Sequence, residues 1–129
     1  MQTRQLTSHK VNGCNDQIHI HVLDQPGSGG ANHVYLIGGF IHRNAMNTDD
    51  ETSVVLRFQN GPIAEVGTNG ITHEALLAIL IDRLEGFQKG PYAHGYNADA
   101  LTSLRSAQAS LKQRTIDRLA RGVEGTHAV

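Results

Sequence analysis

The chain has 129 residues, a formal net charge of −1 and a single cysteine. Its length predicts one domain over residues 1–129 and is too short for two full domains. The near-neutral charge argues against binding along a nucleic-acid polymer, because proteins that grip a phosphate backbone carry a clear excess of Lys and Arg. The longest apolar run, residues 75–81, is far below the roughly 20 residues that span a bilayer. No membrane role is therefore indicated. Because one cysteine cannot form an internal disulfide and no N-terminal stretch resembles a signal peptide, we expect a cytosolic protein.

Alternation of apolar and polar residues predicts a sheet in the first half of the chain. Within 17–22, apolar side chains occupy every second position, so Ile18, Ile20 and Val22 are expected to face inward. Two further strands are predicted over 32–37 and 53–58, where β-branched and aromatic residues are common. A Gly-rich turn and then a polar loop over 44–52 connect the strands. Short connections between successive strands favour antiparallel pairing.

Two helices are predicted after the sheet. Thr72 has the side chain of a good N-cap, and the apolar stripe that follows runs to about Phe87. Asn97 is the expected N-cap of a second helix, which should end at 121–122, an Arg-Gly pair. The short loop between the helices predicts that they run antiparallel.

These elements define an α+β fold in which residues 1–62 form a small N-terminal antiparallel β-sheet and residues 63–129 form two long antiparallel α-helices. Aromatic residues are only 5% of the chain, and tryptophan is absent. Helices with modest apolar stripes often complete their burial against another copy, so self-association is expected.

Three arginines stand on one face of the second helix. Arg114, Arg118 and Arg121, here called the arginine row, have the spacing i, i+4 and i+7. One interpretation is a solvated face whose positive charge favours the C-terminal end of the helix dipole. The other is a phosphate or pyrophosphate site, because guanidinium groups bind such anions in bidentate fashion. Asp117 is the only acid expected near the row.

Aromatic residues gather around the loop between the helices. Phe87, Tyr92 and Tyr96 lie close in sequence to Asn97. They fit either ordinary packing at the end of the helix pair or a stacking surface for a purine whose edge Asn97 reads. An aromatic surface beside the arginine row would suit a nucleotide.

The remaining reactive side chains do not form a convincing catalytic or metal site. His19 and His21 share one strand face, but two histidines do not complete a tetrahedral metal site. Cys14 has no basic neighbour in sequence to lower its pKa. We expect no bound metal, no cofactor and no enzymatic activity.

The second half of the chain contains five distinctive motifs: Phe-Gln-Asn-Gly-Pro-Ile at 58–63, Asn-Gly-Ile-Thr-His-Glu-Ala-Leu-Leu-Ala-Ile at 69–79, Asp-Arg-Leu at 82–84, Gly-Pro-Tyr-Ala at 90–93 and Arg-Gly-Val-Glu-Gly-Thr-His at 121–127. Through these motifs, the chain resembles the first described family of phage Thoeris anti-defence sponges. A related family of smaller anti-CBASS sponges shares the helical half. The strands before residue 58 favour the Thoeris type.

The resemblance implies a protein that sequesters a cyclic nucleotide alarm signal without cleaving it. The implied ligand is glyco-cyclic ADP-ribose, the cyclic ADP-ribose isomer made by bacterial TIR-domain proteins, and cyclic di- or trinucleotides of the CBASS pathway are further implied ligands. Homodimers with two pockets, assembled into hexamers as trimers of dimers, are implied as well. Such a protein would act in the cytoplasm of the infected bacterial host.

The resemblance also implies which residues contact the ligand. The family's contacts fall on Arg57, Phe87, Asn97, Arg114 and Arg118, and Arg83 is a candidate for a second pocket at a subunit junction. The arginine row and the aromatic cluster add Arg121 and Tyr92. One segment departs from the family: His-Gly-Tyr at 94–96 stands where relatives tend to carry Cys-Arg-Glu.

An enzyme that hydrolyses the same messenger is the alternative function. It would need a general base or a metal near the scissile bond. His73 and His94 are the only histidines near the predicted pocket.

Overall fold

The computed structural model describes residues 4–43 and 49–128, and its contacts divide the chain into two compact units with the boundary between Asn60 and Gly61. The first unit contains a β-sheet and the second contains two long helices, which confirms the predicted α+β class. Within the described ranges, no helix has both the length and the apolar character that crossing a bilayer requires.

The described residues of the first unit form a meander of four antiparallel strands in the order β1, β2, β3, β4. The strands are β1 (Arg4–Leu6), β2 (His19–Val22), β3 (Val34–Arg43) and β4 (Asp49–Arg57). The three predicted strands are present, whereas β1 is too short to show an alternating pattern. Residues 49–52, predicted as loop, belong to β4, and residues 44–48 of that predicted loop lie outside the described residues.

Strand β2 begins later than predicted because a short helix precedes it. Helix α1 (Gly13–Gln17) starts at Asn12, whose side chain accepts a hydrogen bond from the backbone N–H of Asn15 at 2.8 Å. Cys14 is therefore in a helix and not in a loop, and it is exposed. Val22 is 2% exposed, as the alternation predicts.

The histidines of β2 are half-buried, and a β-bulge in β3 lies beside the first of them, His19. The pairing shifts between Ile37 and Phe40, where the intervening Gly39 has φ of +84°. A Cβ atom on Gly39 would lie 2.0 Å from the backbone oxygen of Gln17, and one on Gly38 would lie 2.7 Å from the ring of His19. The two glycines thus make room for the His19 ring and the α1 backbone.

The connection between β2 and β3 is fastened by Asp24. Its carboxylate accepts hydrogen bonds from the backbone N–H groups of His33 (2.9 Å) and Val34 (3.1 Å). Loss of hydration acts to raise the pKa of the Asp24 carboxyl, but these bonds, the N–H of Asp24 itself and the nearby His33 ring outweigh it, so the pKa is lowered.

Over its described part, 61–128, the second unit forms three helices: α2 (Ile63–Val66), α3 (His73–Gln88) and α4 (Gly95–Ala120). Thr72 caps α3 as predicted, since its hydroxyl accepts a hydrogen bond from the N–H of Ala75 at 3.1 Å. The prediction that Asn97 caps α4 is wrong. His94 is the N-cap, and its Nδ1 accepts from the N–H of Tyr96 at 3.0 Å. An imidazole nitrogen takes the place of the usual Ser, Thr, Asp or Asn oxygen.

Contacts between α3 and α4 follow an antiparallel arrangement. Near the connecting loop, Arg105 donates to Glu85 at 2.8 Å, and farther away Gln108 donates to the backbone oxygen of Glu74 at 3.3 Å. Leu101 is the one buried apolar side chain among the described residues of this unit. The helix pair therefore leaves much of its apolar surface uncovered.

Replacing Gly39 by alanine should destabilise the sheet by about 2 kcal/mol or more, because an L-residue is strained at this φ and its Cβ would clash with Gln17. The measurement is thermal unfolding followed by circular dichroism. Gly13→Ala is the matched control, because a Cβ there meets nothing within 4 Å. Equal unfolding midpoints for the two variants would contradict the bulge geometry.

Candidate functional site

Four of the predicted ligand residues come together where α3 ends and α4 begins. Arg83, Phe87, Tyr92 and Asn97 are here called the loop-end cluster. The rings of Phe87 and Tyr92 meet edge to face with centroids 6.4 Å apart, and the guanidinium carbon of Arg83 lies 5.0 Å from the Phe87 centroid. Tyr92 is 74% exposed. The cluster offers an aromatic surface and a cation to a ligand.

Hydrogen bonds within the connecting loop hold this surface in place. The side chain of Gln88 accepts from the backbone N–H of His94 at 2.9 Å and donates to the backbone oxygen of the same residue at 3.1 Å. The Asn97 amide donates to the backbone oxygen of Tyr92 at 3.2 Å. The Asn97 side chain therefore helps to order the loop through its NH₂ group, and the oxygen of the same amide remains available to bind a base edge.

A second pair of aromatic rings lies where the same loop meets α4. The His94 and Tyr96 rings stack with centroids 5.2 Å apart and an interplanar angle of 25°. These two residues occupy the segment in which the sequence departs from the family it resembles. The roles of Gln88 and His94 in ordering the loop were not predicted, because neither residue belongs to a recognised capping pattern.

The arginine row lies at the C-terminal end of α4 and lines an open depression. The lining residues are Ser110, Gln113, Arg114, Asp117, Arg118, Ala120 and Arg121. Asp117 accepts a hydrogen bond from Gln113 at 2.9 Å. The exposed Arg114 has no hydrogen-bond or ion-pair partner among the residues that the structure describes. Its guanidinium is therefore open to an anion.

Arg118 differs from Arg114 because it is buried, with 6% exposure. Its Nε donates to the carboxylate of Glu124 at 3.2 Å, and its Nη2 donates to the backbone oxygens of Val123 (3.0 Å) and Thr126 (3.1 Å). Its Nη1 donates to the backbone oxygen of Ala128. Arg118 thus clamps the C-terminal segment, defined here as residues 123–128.

A turn after α4 explains how this segment reaches Arg118. Gly122 has φ of +70°, its N–H donates to the oxygen of Leu119, and the N–H of Val123 donates to the oxygen of Arg118. This is the hydrogen-bond pattern of a Schellman motif, which reverses the chain at a helix end. The expectation that Asp117 is the only acid near the row is wrong, because the turn brings Glu124 to Arg118.

The loop-end cluster and the arginine row are not neighbours within one copy of the chain. Asn97 and Arg114 are both on α4, 17 positions apart in the sequence, and at 1.5 Å per residue they stand about 25 Å apart along its axis. The expectation that the aromatic surface lies beside the arginine row therefore fails within a single chain. Arg57, at the end of β4, belongs to the first unit.

The described residues contain no group of three or more His, Cys, Asp or Glu side chains placed to hold a metal ion. His19 and His21 contact each other edge to face, with ring centroids 5.1 Å apart. The Nδ1 of His94 is occupied as the cap of α4.

Replacing Arg118 by lysine should destabilise the helical unit by about 2–4 kcal/mol, because one ammonium group cannot serve the four acceptors that the guanidinium serves. Arg114→Lys is the matched control at an exposed position of the same row. Chemical denaturation of both variants measures the difference in free energy of unfolding. Equal stability of the two variants would show that the clamp contributes nothing.

Comparison with known proteins places the chain in a family. The family model described as Acb2/Tad1, hairpin domain, matches residues 50–115, just over half of the chain. The chain is also 46% identical over 72 residues to "Thoeris anti-defense 1" of Bacillus phage SBSphiJ7, a match that covers 56% of this chain and about half, 51%, of that relative. The stretch that the family model matches contains all of α3 and the part of α4 up to residue 115. This chain belongs to the Acb2/Tad1 hairpin-domain family.

Proposed function

We propose that this protein is a phage anti-defence protein that binds a cyclic nucleotide immune signal and sequesters it intact in the host cytoplasm. The observation that carries the proposal is the position of the family match. It includes Arg57, Arg83, Phe87, Tyr92, Asn97 and Arg114, and it ends just before Arg118 and Arg121. The relative named Thoeris anti-defense 1 supports a role against the Thoeris system, so glyco-cyclic ADP-ribose is the first ligand to test, with CBASS cyclic di- and trinucleotides after it.

The two groups of candidate residues have complementary chemistry for such a ligand. The exposed guanidinium of Arg114 suits a phosphate, and the Phe87 face with the Asn97 amide oxygen suits a nucleobase. Arg57 would orient the base or a ribose, as the resemblance implies. Arg118 would join Arg114 on the phosphates only after giving up some of its bonds to the C-terminal segment.

A second copy of the chain is needed to bring both groups to one ligand. A separation of about 25 Å along α4 exceeds the reach of the direct contacts that one compact cyclic nucleotide makes. If two copies pair with their α4 helices antiparallel, the loop-end cluster of each copy meets the arginine row of the other. Two equivalent pockets per dimer result from this symmetry.

Exposed apolar side chains support this pairing. On the two long helices, Ile79 and Leu119 are 63% and 62% exposed, and Leu80 and Ile116 are also exposed. Helices whose apolar side chains stay exposed often complete their burial against a second copy of the chain. Assembly of three such dimers into a hexamer, with Arg83 at a junction pocket, is part of the same proposal.

Replacing Arg114 by glutamate should weaken glyco-cyclic ADP-ribose binding at least about 30-fold, equivalent to about 2 kcal/mol, because the variant places a like charge against the phosphates. Isothermal titration calorimetry measures the affinity, and circular dichroism checks that the helices remain. Lys112→Glu makes the same charge change two residues away on α4, where a different face is presented, and should bind normally. Unchanged affinity of the Arg114 variant would refute this assignment.

The fate of the ligand separates a sequestering protein from a hydrolase. After calorimetry, the complex is denatured and the released ligand is analysed by chromatography. A sequestering protein releases the unaltered cyclic nucleotide, which is the result that we expect. A linear product would instead identify an enzyme that degrades the messenger.

A mixed dimer tests whether the pocket is shared between copies. Chains carrying Phe87→Ala and chains carrying Arg114→Glu are co-expressed with different tags, and the mixed dimer is purified. If each pocket is shared between copies, one pocket of the mixed dimer carries both substitutions and the other carries neither. The mixed dimer should then bind one ligand with wild-type affinity, whereas the wild-type dimer binds two. The two variant homodimers, which should bind weakly, are the controls. Failure of the mixed dimer to bind would show that both side chains act from the same copy.

A further inference from the structure

The hydrogen bonds of Arg118 decide whether its buried guanidinium can contact a ligand. Its guanidinium already donates four hydrogen bonds to the C-terminal segment and is 6% exposed. A phosphate cannot contact this group while the segment covers it. Either Arg118 only holds the segment, or the segment leaves when the ligand arrives.

The contact between Glu124 and Arg118 has the geometry of a weak ion pair, in which another anion could replace the carboxylate. A single oxygen of its carboxylate contacts Nε of Arg118 at 3.2 Å, whereas strong charge-assisted N–H···O bonds measure about 2.7–2.9 Å and Arg–carboxylate pairs are frequently bidentate. The Glu124 side chain is 29% exposed. A phosphate with two oxygens available to the guanidinium fork would make the better pair.

The rest of the C-terminal segment is held by few bonds. The N–H of Ala64 donates to the oxygen of Gly125 at 3.0 Å, and His127 contacts Glu65 at 3.3 Å. His127 and Glu65 are both largely exposed, so their pair contributes little. Segments with few buried contacts open at small free-energy cost.

We propose that the C-terminal segment is an intramolecular competitor for the anion site, with Glu124 occupying the position on Arg118 that a ligand phosphate takes over. Binding exchanges the Glu124 carboxylate and the segment's backbone oxygens for phosphate oxygens, and residues 123–128 are released. The inference rests on the proposed function, since it needs a phosphate-bearing ligand at the arginine row.

Hydrogen exchange of the full-length protein tests the release directly. Amide deuterium uptake is measured by mass spectrometry with and without saturating glyco-cyclic ADP-ribose. The N–H groups of Thr126 and Ala128, which donate to Val123 and to the Thr126 hydroxyl, should exchange faster in the complex. Slower or unchanged uptake in a complex that calorimetry shows to be saturated would overturn the proposal and leave Arg118 as a structural clamp.

Removing the competing charge supplies a second measurement. Glu124→Gln keeps the shape of the side chain and should tighten ligand binding several-fold. Glu85→Gln makes the same charge change at the exposed pair with Arg105 and should bind like the wild type. Weaker binding by Glu124→Gln, with unfolding midpoints of both variants equal to the wild type, would overturn the competition. Absence of binding heat for the wild-type protein would instead refute the proposed function itself.

Discussion

The length of helix α4 determines which candidate ligand residues one copy of the chain can bring together. Helix α4 has 26 residues, so it extends about 39 Å at 1.5 Å per residue. Its first turn carries Asn97 and its last turns carry the arginine row. A rigid helix cannot bend the two groups together, and a kink would need a proline, a π-bulge or an inserted side chain. A site that uses both ends must therefore be completed by another copy.

Arg114 and Arg118 differ in burial although they are regularly spaced along one face of α4. Arg114 is exposed, whereas Arg118, one turn later, is enclosed by the chain that the Gly122 turn folds back. A buried guanidinium without partners would carry a large desolvation cost, which Glu124 and the backbone oxygens offset. The same bonds that stabilise Arg118 occupy the donors that a phosphate would use. If Arg118 contacts a ligand phosphate, as proposed above, the bonds that stabilise the free protein must compete with that contact.

The loop between the long helices shows how a few side chains order a surface. Gln88 pairs with both backbone groups of His94, and His94 in turn caps α4. The rings of Tyr92 and Tyr96 are presented to solvent from this fixed backbone. Preorganised rings lose little conformational freedom on binding, which would favour the ligand binding proposed above.

The sequence by itself determined the fold class, three of the four described strands, the Thr72 cap and the end of α4 just before Gly122, because these depend on local periodicity and capping. The β-bulge at Gly39 and the short strand β1 depended on contacts between residues distant in the sequence. The His94 cap is local, but it uses an imidazole nitrogen that the usual capping preferences do not indicate. Only the tertiary structure decided that Arg114 is open and Arg118 is enclosed, since the spacing of arginines on a helix carries no information about where the following chain returns.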